Sequence, residues 1–283
     1  MRAVRIHEDG GPEVLVLEEA PDPEPGPGEV LVRLRASALN HLDIWIRKGL
    51  PSVPKPRILG ADGAGVVEAL GDGVTGFDLG ERVVLNPGIE SGGGRIHVIG
   101  EHGDGTNAEL IALPATNVYP IPGDLSFEEA AAFPLVFETA YRMLVTRAAL
   151  RAGEWVLLWG IGGGVSTAGL AIAKALGART IVTSSSDAKL QRASELGADV
   201  VVNHASGDVY ATVKEATEGP TSWSEWVWRG TRGDGEPFLM KGVIVLGWRE
   251  DGLISWARWY MEPVEQAGPS IDAAVRQLSG LSG

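Results

Sequence analysis

Glycines 160, 162, 163 and 164 stand between a short apolar run and a helical repeat, and this stretch is the part of the chain best suited to chemistry. The run, Trp155 to Trp159, reads as a buried strand. After the loop, Val165, Ala168, Leu170, Ile172, Ala173 and Leu176 recur at helical spacing, and Gly177 stands where a C′ glycine ends a helix. Strand, glycine turn and helix together form a dinucleotide-binding layout. Glycine lets the backbone approach a pyrophosphate, and the helix N-terminus offers it unpaired N–H groups and a positive dipole end. The strict G-x-G-x-x-G spacing is not met, because Val165 occupies the third position. A ligand-free tight turn is therefore the alternative.

The residues after this helix favour the nucleotide reading. Thr180 to Thr183 is predicted to be a second strand, Asp187 to Leu196 a helix closed by Gly197, and Val200 to Val202 a third strand. This alternation is the βαβαβ half of a doubly wound sheet. Upstream, residues 1–120 carry many short strands punctuated by Gly and Pro, including 3–6, 14–17, 30–35, 63–70 and 82–85. That pattern suggests a barrel-like fold. A short helix is expected over 40–48. Ser126 and Glu129 form a capping box that opens a longer helix, interrupted at Pro134.

Composition narrows the functions. Cysteine is absent from all 283 residues, which excludes disulfides, thiolate catalysis and Cys-ligated zinc. A net charge of −13 argues against nucleic-acid partners, which usually need a basic patch. No run of about 18 apolar residues exists to span a membrane. The N-terminus lacks the apolar core of a signal peptide, so a cytoplasmic location is expected.

Several segments occur in the order found in medium-chain dehydrogenases/reductases, and the chain resembles that family's quinone-oxidoreductase and zinc-alcohol-dehydrogenase branch over about 1–218. They are Gly11-Pro-Glu-Val-Leu, Pro25-Gly-Pro-Gly-Glu-Val-Leu-Val, Ala38-Leu-Asn-His-Leu-Asp, Leu59-Gly-Ala-Asp-Gly-Ala-Gly-Val-Val, Gly80-Glu-Arg-Val and Gly105-Thr-Asn-Ala-Glu, and then the loop and helix at 160–177. The resemblance implies a GroES-like β-barrel domain over 1–120 and a nucleotide-binding domain over 121–219. It places Asn40 and Ala61 where zinc-using members have Cys and His, so no zinc is expected. The four-cysteine lobe that often follows Asn86-Pro-Gly is replaced by a short glycine loop. His41, His97 and His102 are expected to be surface or packing residues. Thr139 matches a residue that faces the nicotinamide in this branch; a Thr satisfied by a helix carbonyl is the alternative.

The resemblance implies a zinc-independent oxidoreductase acting on a small carbonyl, enone or quinone substrate. Asn40 and Thr139 would position the reacting groups, and Gly160, Gly163, Gly164 and Val165 would hold the phosphates. Where an NAD enzyme usually has an acidic residue, this chain has Thr183-Ser-Ser-Ser and Lys189. Ser185 and Lys189 suit a 2′-phosphate, so NADPH is expected ahead of NADH. Asp187 is better explained as a helix N-cap or first-turn residue.

Residues 220–283 differ in composition and hold six of the nine tryptophans. Three antiparallel strands are predicted there, over 223–231, 238–249 and 253–261, with turns at 233–235 and 251–252 and a closing helix over 272–278. The string resembles the last strands of a SnoaL-like domain. The expected fold is therefore α/β plus β: a GroES-like barrel, a truncated Rossmann βαβαβ unit and an antiparallel three-stranded C-terminal sheet. Other readings are a cyclase- or hydratase-like pocket in the tail, or a non-catalytic fusion of fold fragments. An open parallel sheet has an exposed edge; the tail, or a second copy in a homodimer, is expected to cover it.

Overall fold

A computed structural model describes residues 1–93 and 95–217, and the backbone of 221–231, 237–248 and 254–264. Two compact units are present, Met1–Val209 and Tyr210–Gly283.

The first unit begins with β1 (Arg2–Ile6), β2 (Val16–Glu19), β3 (Glu29–Ala38), helix α1 (His41–Arg47), β4 (Arg57–Ile58), β5 (Asp62–Leu70) and β6 (Arg82–Leu85). Short strands β7 (Gly88–Glu90), β8 (Ile96–Val98), β9 (Leu110–Pro114) and β10 (Val118–Pro120) come next. A five-stranded antiparallel sheet has the order β10-β6-β5-β3-β9, and a three-stranded sheet the order β2-β1-β4. Alternating apolar residues of these strands, among them Val30, Val32, Val67, Val83 and Leu85, face one buried cluster. This is the GroES-like fold expected of the front of the chain. The predicted strand over 14–17 begins later, at Val16, because Pro12 starts a 3₁₀ turn over Pro12–Val14.

Helix α1 lies over a separate small core of Ile6, Ile46, Val53 and Leu59. Burying a side chain such as Ile46 contributes about 1.5–3 kcal/mol, enough to fix so short a helix in place.

The helix predicted from Ser126 onward is in three pieces: α2 (Phe127–Ala131), α3 (Pro134–Tyr141) and a π-helical turn over Arg142–Arg147. Ser126 and Glu129 form the expected capping box. Pro134 opens α3 at a position where no N–H is needed. Then come β11 (Trp155–Leu158), α4 (Gly164–Ala175), β12 (Arg179–Ser184), α5 (Asp187–Glu195) and β13 (Val200–Asn203). The three strands are parallel, in the order β11-β12-β13, with Ile161, Leu170, Val182, Leu190 and Ala193 as the core. Gly177 comes after α4 in the left-handed conformation at φ 72°. This is the Rossmann-like βαβαβ unit.

Helix α6 (Val209–Ala216) leads into β14 (Thr221–Thr231), β15 (Pro237–Trp248) and β16 (Ile254–Val264), an antiparallel sheet in the order β14-β15-β16. A register shift at Gly247/Trp248 interrupts the second pairing. The predicted turns at 233–235 and 251–252 and the helix over 272–278 lie outside the described residues. Among those residues, no helix is long and apolar enough to cross a membrane.

Candidate functional site

Two sets of residues in the first unit have the makings of a site. One surrounds Asp62, the first residue of β5. Its two oxygens accept from the Asn40 amide at 2.9 Å and from the Leu135 N–H at 2.9 Å. The second bond lets Asp62 cap the N-terminus of α3, which has no capping side chain of its own. Burial pushes the Asp62 carboxyl up to about 6, against the pull of these two donors and with repulsion from Asp43. Asp43 is itself buried and raised, although it accepts from Asn40 N at 2.7 Å and Gly60 N at 2.9 Å.

On α3, burial pushes Glu138 up to about 7, with the nearby Asp62 charge adding to it. Its carboxyl accepts no hydrogen bond among the described residues. Asp62 and Glu138 thus form a pair of carboxyls beside Asn40 that exchange protons near neutrality. Neither was singled out in the sequence. The signal for Asp62 lies in Gly60-Ala-Asp-Gly-Ala-Gly, where an acid comes directly after the vacated ligand position.

Thr139, the next residue, donates its hydroxyl to the Leu135 carbonyl at 2.7 Å. That is the helix-carbonyl arrangement, and it leaves the oxygen's lone pairs open to a ligand. Asn40 and Thr139 are brought to the same place through Asp62 and Leu135. Among the described residues, no group of three or more His, Cys, Asp or Glu is placed to hold a metal ion. His97 and His102 stack on each other, with ring centres 4.7 Å apart.

The second set is the glycine loop. Gly160 and Gly162 have φ of 73° and 104°, which side chains rarely adopt. Gly163 has φ −83° and caps α4 from an extended conformation. Gly164 has a different task from the one expected: a Cβ there would lie 2.7 Å from Val136 Cγ1, so glycine is what lets α4 approach α3 closely. The N–H groups of Gly164 and Val165 lie in the first turn, without helical acceptors. Ser166, in place of a glycine, donates its hydroxyl to the Gly160 and Gly163 carbonyls at 3.0 and 3.1 Å and ties the loop shut. An open turn of this kind, set on a twelve-residue helix, fits a pyrophosphate.

At the end of β12, Ser184 is buried and Ser185 is exposed. The Lys189 stem lies across the loop: a Cβ at Gly162 would meet its Cδ at 2.8 Å. Its ammonium makes no hydrogen bond or ion pair among the described residues. Asp187 is in the first turn of α5 and is occupied by the Asn203 amide at 2.7 Å. Trp159, 62% exposed just before the loop, stacks on His204 with ring centres 5.2 Å apart.

Two family models match the chain: the alcohol dehydrogenase GroES-like domain over 26–123 and the zinc-binding dehydrogenase over 164–224. A zinc-type alcohol dehydrogenase-like protein of Schizosaccharomyces pombe is 35% identical over 262 residues, 89% of this chain and 73% of its own length. So long a match cannot end at residue 219; likeness to this family runs into the tail, beyond the motifs seen in sequence. The chain spans only 37% to 62% of other curated relatives. A solved NAD-dependent alcohol dehydrogenase is 50% identical with a TM-score of 0.74, covering 78% of this chain and 68% of that one. The Escherichia coli quinone oxidoreductase, solved in complex with NADPH, is 32% identical with a TM-score of 0.67, covering 78% and 64%. Together with the GroES-like sheet and the parallel βαβαβ unit, these matches show that the chain belongs to the medium-chain dehydrogenase/reductase family.

Proposed function

We propose that this chain is an NADPH-dependent oxidoreductase of the quinone-oxidoreductase and alcohol-dehydrogenase type, reducing a carbonyl, enone or quinone without zinc. The observation that carries this reading is Lys189: its stem lies on Gly162, its ammonium is unengaged among the described residues, and no free acid stands at the end of β12. The solved neighbours differ in the cofactor their descriptions name, NAD in one and NADPH in the other. The residues after β12 therefore decide the preference, and here Ser185 and Lys189 offer a hydroxyl and a cation to a 2′-phosphate.

The bound nicotinamide supplies the hydride. The protein's share is to hold, orient and protonate. Gly160, Gly163, Gly164 and Val165 present backbone to the pyrophosphate. Asn40 and Thr139 flank the reacting groups. With Asn40 and Ala61 at the metal-ligand positions, the proton has to come from elsewhere. Glu138, poised near neutrality beside Asp62, is placed to give it. The working division is a GroES-like catalytic domain over 1–120, a partial nucleotide-binding domain over 121–219 and an antiparallel segment over 220–283. A second copy of the chain is the expected partner.

The test is a titration of the full chain with NADPH and NADH, monitored by tryptophan fluorescence from Trp155 and Trp159. Lys189→Ala should weaken NADPH by about ten- to a hundredfold, the worth of one charge-assisted hydrogen bond, and NADH far less. Equal losses would reduce Lys189 to a packing residue. Stoichiometric zinc in the dialysed protein would overturn the metal-free reading.

A further inference from the structure

A cavity of about 670 Å³ opens between β1, the end of β3, α1 and residues 106–109. Its walls are largely aliphatic, and its rim leaves large apolar side chains in water: Leu39 is 81% exposed, Ile44 42% and Leu15 39%. A cavity of this size suits a small molecule rather than a solvent molecule.

Its charges are unevenly matched. Two acids and two arginines line it: Asp43, Glu109, Arg35 and Arg47. Both acids are already engaged. Asp43 accepts from the Asn40 and Gly60 N–H groups, and Glu109 from the Arg2 N–H and guanidinium. Neither arginine's guanidinium makes a hydrogen bond or an ion pair among the described residues. The Arg47 Nε is shut off from solvent with no acceptor. The acids whose titration feels these arginines are held elsewhere, Glu13 by the Gly11 N–H and Glu68 by Arg33. In a chain of net charge −13, two guanidiniums without acids beside an apolar hollow are a mismatch that a ligand would resolve.

We propose that this cavity binds an amphipathic carboxylate, a small molecule with an aliphatic or aromatic body and one carboxylate, at a place separate from the glycine loop. Arg35 and Arg47 would take the carboxylate, since the planar guanidinium fork matches its two oxygens. Leu15, Leu39 and Ile44 would cover the body. Asn40 borders the same cavity, so a bound carboxylate would also brace the start of α1.

Calorimetric titration of the full chain with octanoate tests this. One saturable site is expected. 1-Octanol, with the same body and no charge, should bind at least about tenfold more weakly; Arg47→Met and Arg35→Met, each lacking a charge-assisted bond, should weaken octanoate as much. Arg35 lies exposed on β3, so its variant keeps the fold if Arg47→Met does not. Saturating NADPH should leave octanoate affinity unchanged. No binding by octanoate, equal binding of octanol, unaltered binding in Arg35→Met, or displacement by NADPH would each overturn the proposal.

Discussion

The antiparallel region over 1–120 and the parallel region after it solve the same problem with unequal means. The first closes nine side chains, each at most 5% exposed, into one cluster between paired strands. The second has five such residues, and among the described residues β11 and β13 each pair on one side only. Large apolar groups are left in water around the second: Trp159 at 62%, Met143 at 56%, Tyr141 at 55% and Leu157 at 39%. A parallel sheet is normally buried on both faces. The contrast teaches that the side chains fit for chemistry rest on a complete scaffold, while the cofactor loop rests on half of one. Affinity for the cofactor, more than positioning of the substrate, is where this chain is most vulnerable.

The sharpest way to break that contrast is to excavate each core. Leu85→Ala and Leu170→Ala, both at sites 1% exposed, should each cost about 2–5 kcal/mol. Amide exchange is expected to show Leu170→Ala loosening only the parallel region, with cofactor binding lost. Protection lost from both regions in both variants would make them one cooperative unit.

A smaller effect is expected within the loop. Gly162→Ala adds a Cβ at φ 104° against Lys189, costing about 1–3 kcal/mol and at least about tenfold in NADPH affinity. Gly163→Ala, in an ordinary conformation with open space, should be close to neutral. Melting temperatures and NADPH titrations of the two variants give the comparison.

Glu138 sharpens it by pH. Its folded carboxyl holds a proton to about 7, against an ordinary value of 4.5. The folded state therefore binds the extra proton, and the stability this gives is present below about 4.5 and lost as pH rises through about 7. Glu138→Gln should leave stability at pH 5 nearly unchanged and raise it by about 1–2 kcal/mol at pH 8, allowing for partial exposure. Superimposable pH–melting curves would show the carboxyl to be ordinary. Smallest of all, Ser166→Ala should cost about 0.5–1.5 kcal/mol, read from urea unfolding.

The legible part of the sequence was local. The capping box at Ser126, the period of α4, the Gly177 stop and the three strands of the tail are all written within a few neighbouring residues. The short strands β7 to β10 were not legible, being three to five residues long and too brief to show a period. The chemistry of Asp62 was hidden for a different reason: its partners lie 22 and 73 positions away. Gly164 was legible as a glycine but not in its task, because Val136, the side chain it makes room for, precedes it by a whole strand and turn. Thr139 and Asn40 were found as residues, while the carboxyl joining them was not.

Helix α3 has a consequence for anyone who recombines such chains. Its first turn is bound by Asp62 of the antiparallel region, and its Val136 is seated in the gap left by Gly164 of the cofactor helix. One eight-residue helix is thus the hinge pin shared by two modules. A cut at residue 120 or 121 leaves it with the cofactor half but takes away its cap. A cut after Tyr141 keeps the cap but leaves Gly164 as an empty notch. The transplantable part is therefore not a domain as the sequence divides it, but a domain together with the residue, Asp62 or Gly164, that its neighbour lends to this helix.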